Sequence, residues 1–321
     1  MDRLVEMIEA SDLAALTRHV DATAVGGDWE ALVDIVERCT EAVSRGKQVW
    51  AVAQYAEYRL ALEAPAAYAG SVVGDDRGGS ALGPLWEVAA ATHTWEELEP
   101  HLGAPTSRAL AAHERVVRGD AITSAAIDDR ILELPLRLLD WEPQYPLAEY
   151  RADGADFPLA VPSLEWVELP DAGRRVERDD VTEAMLDLVK PWWDESSGHA
   201  VAAAVAGDVV DAIRSLGPRR ARVARVTPGE ALAAMAWAGA SGGAYGRRRG
   251  TPVGRAGVWW ILGSLLGYEE PPDDPTWGRE AAELEWWVWD PGDRVGGWSL
   301  HIGVHDPEDG LAFVLSAVDM R

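Results

Sequence analysis

The spacing of apolar residues changes along this chain, and the change limits the folds open to it. Through roughly the first 140 residues, apolar side chains recur every three or four positions, which is typical of helices that pack along one face. The last 40 residues instead hold three aromatic or β-branched runs separated by turn residues, ELEWWVWD (283–290), GWSLHIGV (297–304) and LAFVLSAVD (311–319). We therefore predict an α+β fold, mainly α, that ends in a small antiparallel β-meander of three strands.

The N-terminal part, residues 1–134, is predicted to be a helical domain. Asp28 is placed to cap a helix that carries Leu32, Ile35 and Val36 on one face. Further helical stretches are predicted at 47–63, 84–91, 94–101 and 105–118, with a loop rich in Gly and Asp at 71–83. Antiparallel pairing would bury these faces, so we expect a helical bundle or a short α-solenoid. No repeat of fixed period indicates a named repeat family.

Prolines mark the boundary between the two parts of the chain. Six of the 19 prolines fall within residues 135–170. Because proline lacks a backbone donor and restricts the residue before it, a continuous helix is excluded here. The same stretch carries several large aromatic residues, which indicate that it packs along the body of the protein. We predict an ordered, proline-rich strap over 135–180 and an α+β domain over 181–321.

Two helix starts stand out in the C-terminal domain, after helical patterns at 180–193 and 198–216 and a short predicted strand at 221–226. Thr227-Pro228-Gly229-Glu230 combines a capping hydroxyl, a first-turn proline and a glutamate that can reach back to the cap. Thr251-Pro252 opens a second helix that is apolar on most of its surface. We expect this second helix to be the buried hub of the domain.

The composition excludes several classes of protein. The net charge of −25 repels phosphate backbones and anionic membranes, so nucleic-acid binding is disfavoured. The single cysteine, Cys39, cannot form an intrachain disulfide, and the first residues lack the pattern of a signal peptide. The apolar run at 256–267 is shorter than the roughly 18 residues a membrane span needs. We predict a cytoplasmic protein that binds no membrane.

Positive charge is concentrated in one short segment of this acidic chain. Residues 218–257 contain eight arginines and one acid, Glu230, for a net charge of +7 against −32 for the remainder. Guanidinium groups beside the glycine-flanked start of the second helix could bind a phosphate, a carboxylate or a partner protein. The residues assigned to this anion- or partner-binding site are Arg247, Arg248, Arg249, Gly250, Thr251 and Arg255. Alternatively, these arginines neutralise acidic surface within the same molecule and need no ligand.

Motifs that carry catalysis are weak in this chain. Gly239 to Gly243 match the G-x-S-x-G pattern around Ser241, but a helix is predicted before the serine where a nucleophile elbow needs a strand. His301 and His305 share a face of one strand about 13 Å apart, too far to hold one metal ion. His113-Glu114 is half of a zinc motif without its second histidine. No phosphate-binding, dinucleotide or cysteine metal motif is present, so we expect no cofactor and no metal.

Two further features have a functional and a structural interpretation. Sixteen tryptophans against two phenylalanines could form a carbohydrate-binding surface, with Trp277 and Trp298 as the exposed candidates, but core packing is favoured. Acid pairs such as those at 75–76, 128–129 and 273–274 point apart and are favoured as solvated faces and caps.

Four tracts resemble an uncharacterised protein family of high-GC Gram-positive bacteria. They are WEPQYPLAEYRADGA (141–155), SGGAYGRRRGTPVGRAGVWW (241–260), WWVWDPGD (286–293) and GWSLHIGVHDPEDGLAFVLSAVD (297–319). The resemblance spans roughly residues 130–321, with a looser helical likeness before it. It implies a bacterial, cytosolic protein and brings no catalytic residues with it.

Three functions follow from these patterns. The first is a non-catalytic interaction protein that binds a partner or a small anion at the arginine segment. The second is a hydrolase or transferase acting on a phosphorylated or carboxylated small substrate, with arginines as clamps and His301 or His305 as the acid/base. The third is an acidic antidote or immunity-type protein, suggested by the net charge of −14 over residues 1–150.

Overall fold

The structure, a computed structural model, describes residues 3–74, 82–123, 127, 131–169, 171–268, 276–292 and 297–320. The chain divides into two compact units, Met1–Arg137 with Ala148–Asp156, and Leu138–Leu147 with Phe157–Arg321. The division therefore runs through the predicted strap at 135–180. The acid pairs at 75–76, 128–129 and 273–274 and most of the predicted loop at 71–83 lie outside the described residues.

The first unit is helical, as the apolar spacing predicts. Its helices are α1 (Arg3–Glu9), α2 (Leu13–Val25), α3 (Trp29–Ser44), α4 (Trp50–Glu63), α5 (Ala66–Ser71), α6 (Leu85–Thr92), α7 (Trp95–Leu98) and α8 (Pro105–Val117), with a 3₁₀ turn at Glu99–His101. The Asp28 side chain accepts a hydrogen bond from the Ala31 amide at 3.1 Å and begins α3, as predicted. Helix α4 packs against α2, α3 and α6, and α6 packs against α8, which gives a helical bundle.

A short hairpin completes the first unit. Strands β1 (Glu149–Arg151) and β2 (Gly154–Asp156) pair antiparallel. The Tyr58 hydroxyl donates to the Arg151 carbonyl oxygen at 2.6 Å, and the Tyr150 hydroxyl donates to Glu87 Oε2 at 2.7 Å. Helices α4 and α6 thus hold this part of the proline-rich segment in place.

The second unit is built on one antiparallel sheet of seven strands. In chain order its elements are β3 (Glu165–Glu168), β4 (Arg174–Arg175), α9 (Asp179–Leu188), α10 (Pro191–Asp194), β5 (His199–Ala206), α11 (Val209–Ser215), β6 (Arg220–Val226), α12 (Pro228–Ala240), α13 (Thr251–Leu266), α14 (Thr276–Glu283), β7 (Glu285–Asp290), β8 (Gly297–Asp306) and β9 (Leu311–Met320). The strand order is β3-β6-β7-β8-β9-β5-β4. The predicted meander is confirmed as β7, β8 and β9, and it forms the centre of the larger sheet.

One helix prediction is wrong. Residues 198–216 were expected to be helical, but His199–Ala206 form strand β5 and only Val209–Ser215 form a helix. Alanine has the highest helix propensity, and HAVAAAVA therefore favours a helix when it is considered alone. In the sheet this strand pairs with β9 over eight residues, and its small side chains at Ala203 and Ala204 are buried. Tertiary pairing overrides the local propensity here.

Helices cover the two faces of the sheet unequally. On one side, the α11 face, Val209 packs over Gly303, where a Cβ atom would collide with the valine side chain. On the other side, the α12 face, α12 packs against β7 and β8, and α13 packs against both α12 and α9. Val258, Ile261 and Leu262 of α13 are fully buried, which confirms the predicted hub helix.

Several tryptophans of the second unit lie in its interior, although Trp166 and Trp260 are exposed. The rings of Trp141, Trp259 and Trp277 stack with centroids 5.2 to 6.1 Å apart. Trp277 is only 1% exposed, so its selection as an exposed sugar-binding candidate is wrong. Trp298 is half-buried and lies 4.8 Å from Trp237, centroid to centroid. These contacts support the core-packing interpretation of the tryptophan content.

Candidate functional site

The loop between α12 and α13, Ser241–Gly250, carries the three consecutive arginines, and we call it the arginine loop. Its end is fixed by the amides of Arg249 and Gly250, which both donate to the Ala240 carbonyl oxygen, at 2.8 and 3.2 Å. Its middle is fixed by the Ala244 amide, which donates to Asp319 Oδ2 at 2.5 Å. The Tyr245 amide donates to Ser196 Oγ at 3.1 Å. The backbone that carries the arginines is therefore held on the rest of the second unit.

Ser241 begins the loop, and its surroundings explain the G-x-S-x-G match in structural terms. Its side chain is 3% exposed, and its Oγ accepts a hydrogen bond from the Gly243 amide at 2.9 Å. It follows helix α12 instead of a strand, so the nucleophile-elbow context is missing. A Cβ atom at Gly239 would lie 3.1 Å from the Gly254 Cα, so the glycines allow α12 and α13 to approach closely.

The three arginines of the loop have different surroundings. Arg247 is exposed. Arg248 is half-buried, with its guanidinium 4.4 Å from the centroid of the Phe157 ring and its Nη2 donating to Thr251 Oγ1 at 3.2 Å. Burial lowers the pKa of the Arg249 guanidinium, partly offset by the charge of Glu195. The loop thus presents one arginine to solvent and packs the next over an aromatic ring.

Arg255, one turn into α13, does not join them. Its Nε and Nη2 donate to Glu142 Oε2 and Oε1, both at 2.7 Å, and both side chains are 0% exposed. Glu142 also accepts from Trp259 Nε1 at 3.0 Å and from the Tyr145 hydroxyl at 2.8 Å. Burial alone would raise the pKa of Glu142, but the hydrogen bonds and charge of Arg255 outweigh it and lower that pKa. This pairing removes Arg255 from the predicted binding set.

Gly250 and Thr251 also lie inside the protein. Gly250 has a φ of 95°, a left-handed value that glycine adopts without strain, and it precedes the first residue of α13. Thr251 is 1% exposed and accepts the hydrogen bond from Arg248. Both residues shape the end of the arginine loop and are not themselves exposed.

The arginines of strand β6 belong to a different part of the molecule. Arg220 and Arg222 lie on the α12 face against the ring of Trp166, and Arg222 also pairs with Asp290. Arg225 lies on the α11 face and pairs with Glu285 at 3.0 Å. The segment 218–257 is therefore not one basic surface, and intramolecular pairing accounts for several of its charges.

The two histidines of β8 lie on the α11 face. His301 is 8% exposed, its Nδ1 is 3.0 Å from Ser316 Oγ, and its ring lies 4.7 Å from that of Trp289. Burial lowers the pKa of His301 to about 4, with Asp290 opposing the shift and His199 adding to it. His305 Nδ1 is 3.0 Å from Glu285 Oε2. The two histidines lie four residues apart on β8. His301 is paired with Ser316 of β9, and His305 is paired with Ala312.

The surroundings of the remaining candidate residues indicate structural roles. In the part of the chain that the structure describes, no three His, Cys, Asp or Glu side chains are grouped to hold a metal ion. Glu114 is fully buried and pairs with Arg118 at 2.7 Å, and His113 beside it is also fully buried. Cys39 is buried, which raises the pKa of its thiol to about 11.

Two acidic residues that organise the site were missed from the sequence. Glu142 binds Arg255, and Asp319, 0% exposed, holds the arginine loop at Ala244. Glu142 lies between Trp141 and Tyr145, so a carboxylate within an aromatic, proline-rich segment was the available signal. Asp319 lies at the end of an apolar strand and carries no comparable signal.

Comparison with known protein families gives a match over nearly the whole chain. A family model described as a family of unknown function (DUF6183) matches residues 14–320. No curated protein and no solved structure matches the chain. Within the described ranges, none of the helices is both long enough and apolar enough to span a bilayer.

Proposed function

The chain belongs to this family of unknown function, and we propose that it acts as an interaction protein whose arginine loop, itself non-catalytic, binds an anionic group. The group is a phosphate or carboxylate, carried by a small molecule or by a partner protein. Arg247 and Arg248 make the contact, and Arg249 adds positive charge from within the loop. We also propose that the protein acts in the bacterial cytoplasm.

One observation carries this proposal: consecutive arginines stand on a loop whose backbone is held by hydrogen bonds to Ala240, Ser196 and Asp319. A guanidinium that is already fixed loses less entropy when it binds. Arg248, packed over the Phe157 ring, carries a planar guanidinium, whose donors suit a carboxylate or phosphate. The net charge of −25 disfavours binding of anions elsewhere on the chain.

The alternative hydrolase or transferase is less favoured by the geometry. Its mechanism needs the arginine clamps and a histidine at one site. The arginine loop is held by Asp319, whose side chain lies on the α12 face, while His301 and His305 lie on the α11 face. Arg225 and His305 both contact Glu285, but this group lies on the α11 face, apart from the arginine loop. The antidote hypothesis rests on acidity alone.

A thermal-shift panel of inorganic phosphate, nucleotides and sugar acids tests the proposal. A ligand at about 100 times its Kd stabilises the folded state by roughly 2.7 kcal/mol, which raises the melting temperature by several degrees. We expect this shift in the wild type and its loss in Arg247→Ala/Arg248→Ala.

The matched control is Arg174→Ala/Arg279→Ala, which removes the same charge from exposed positions elsewhere in the second unit. The control should keep the shift. If no anion stabilises the wild type, or if the loop variant responds as the control does, the proposal is wrong.

A further inference from the structure

A second group of reactive side chains lies on the α11 face, away from the arginine loop. Ser316 of β9 and His301 of β8 are direct cross-strand partners, and Ser316 Oγ lies 3.0 Å from His301 Nδ1. They lie on adjacent strands of the meander, and Ser316 is paired with His301 on one side and with Val201 of β5 on the other. The pair is therefore rigidly placed.

Helix α11 leaves this part of the sheet open. Val209 packs over Gly303, which follows His301 on this face of β8. Val314 of β9 and Ala203 of β5 lie beside Gly303 and belong to the apolar core around α11. Further along the same face, away from Gly303, Val201 is 41% exposed, and His199 and Ser299 are also exposed. Ser316 itself is half-buried. The serine thus lies where the covered core gives way to solvent.

The groups around the pair are those that acyl transfer requires. A serine is activated by a neutral base within hydrogen-bond reach. Burial against Trp289 keeps the imidazole of His301 uncharged, so a ring nitrogen can accept the serine proton. Trp289 is 2% exposed, and its indole N–H has no acceptor among the described residues. The same indole packs against the His301 ring, and a tetrahedral intermediate whose oxyanion reached its N–H would gain a hydrogen bond.

We propose that Ser316 and His301 form a hydrolytic site for small uncharged esters, with Ser316 as the nucleophile and His301 as the base. The Ser316 hydroxyl proton passes to His301 Nδ1 as the Oγ–carbon bond forms. The carbon–oxygen bond to the leaving alcohol breaks, and that alcohol takes the proton from His301. Water then attacks the acyl-serine in the same way, which releases the acid and restores the serine.

The surroundings of the pair define the class of ester. Val201 and Val318 flank Ser316 on β5 and β9, so the acyl group meets apolar side chains. The net charge of −25 repels anionic esters, so uncharged ones are favoured. The titratable groups that act on the pKa of His301 are Asp290 of β7 and His199 of β5. Among the described hydrogen bonds, neither residue is a partner of the imidazole.

Labelling with a biotinylated fluorophosphonate tests the proposal on the full chain. The Ser316 oxygen displaces fluoride from phosphorus, and the stable adduct is located by mass spectrometry of peptides. We expect a single adduct on Ser316 and no adduct in Ser316→Ala. The control Ser299→Ala removes an exposed serine, the neighbour of His301 on the same face of β8, and should label normally.

Loss of the base gives a second measurement. His301→Gln should slow labelling and the hydrolysis of p-nitrophenyl acetate by about 100-fold or more, since general bases contribute 10²- to 10⁴-fold. The melting temperature of each variant shows whether it is folded. If His301→Gln does not fold, peptide mapping of the wild type still shows whether Ser316 carries the adduct. An unlabelled wild type, or an adduct that remains in Ser316→Ala, overturns the proposal.

Discussion

Arg255 and Glu142, 113 residues apart in the sequence, form a bidentate ion pair that is sealed from solvent. It joins helix α13 to the proline-rich segment, and the Trp259 indole and the Tyr145 hydroxyl complete the hydrogen bonding of the carboxylate. The pair places residues 138–147 on the second unit. An arginine that looks like a ligand contact in the sequence is thus part of the framework.

Removing one partner of this pair should be costly. Glu142→Leu leaves the Arg255 charge buried without compensation, and we expect a loss of about 3 to 5 kcal/mol in the free energy of unfolding. Glu142→Leu/Arg255→Met removes both charges and should lose much less. Urea denaturation measures the three values. A loss in the double variant as large as that in Glu142→Leu would contradict the explanation that an uncompensated buried charge causes the loss.

The stability of the protein should fall in mild acid because of His301. Its pKa is lowered to about 4 in the folded state, against about 6.5 when unfolded, so the unfolded chain binds more protons between these values. Above about pH 6.5 His301 costs no stability. As the pH falls below this value the free energy of unfolding decreases, and the loss reaches about 3 kcal/mol near pH 4.

Urea denaturation of the wild type and of His301→Gln at pH 7 and pH 4.5 measures this contribution. The variant should lose less stability over that interval than the wild type does. Parallel losses in the two proteins would place the acid sensitivity in other groups.

Asp319 should control the order of the arginine loop. Asp319→Ala removes the acceptor of the Ala244 amide, and leaving a buried donor unsatisfied costs about 1 to 3 kcal/mol. Hydrogen exchange at residues 243–245 should become faster while exchange in α9 stays unchanged. Unaltered exchange in the loop would mean that Ser196 and Ala240 hold it without Asp319.

Close contact between α12 and α13 depends on Gly254. A Cβ atom at this position would clash with the Ala236 carbonyl oxygen, so Gly254→Ala should destabilise the protein by about 1 to 3 kcal/mol. Gly229→Ala, in the first turn of α12, meets only Pro143 Cβ at 3.6 Å and should be neutral or slightly stabilising. Thermal melts compare the two, and equal melting temperatures would contradict the packing argument.

Local patterns predicted elements better than they predicted the site. The alternation in 283–319 and the capping box at Thr227 depend on neighbouring residues, and both are confirmed. Strand β5 was missed because its alanines gain strand geometry only from pairing with β9. The charge count over 218–257 could not show that β6 alternates its arginines between two faces. Arg255 was misassigned because its partner Glu142 lies in a distant segment.

The most direct test of the proposed function is NMR of the arginine side chains during a titration with inorganic phosphate. We expect the Nε–Hε signals of Arg247 and Arg248 to shift progressively and saturate, while the signal of Arg255 does not move. Signals of Arg247 and Arg248 that stay constant throughout the titration, or that move no more than that of Arg279, would contradict it.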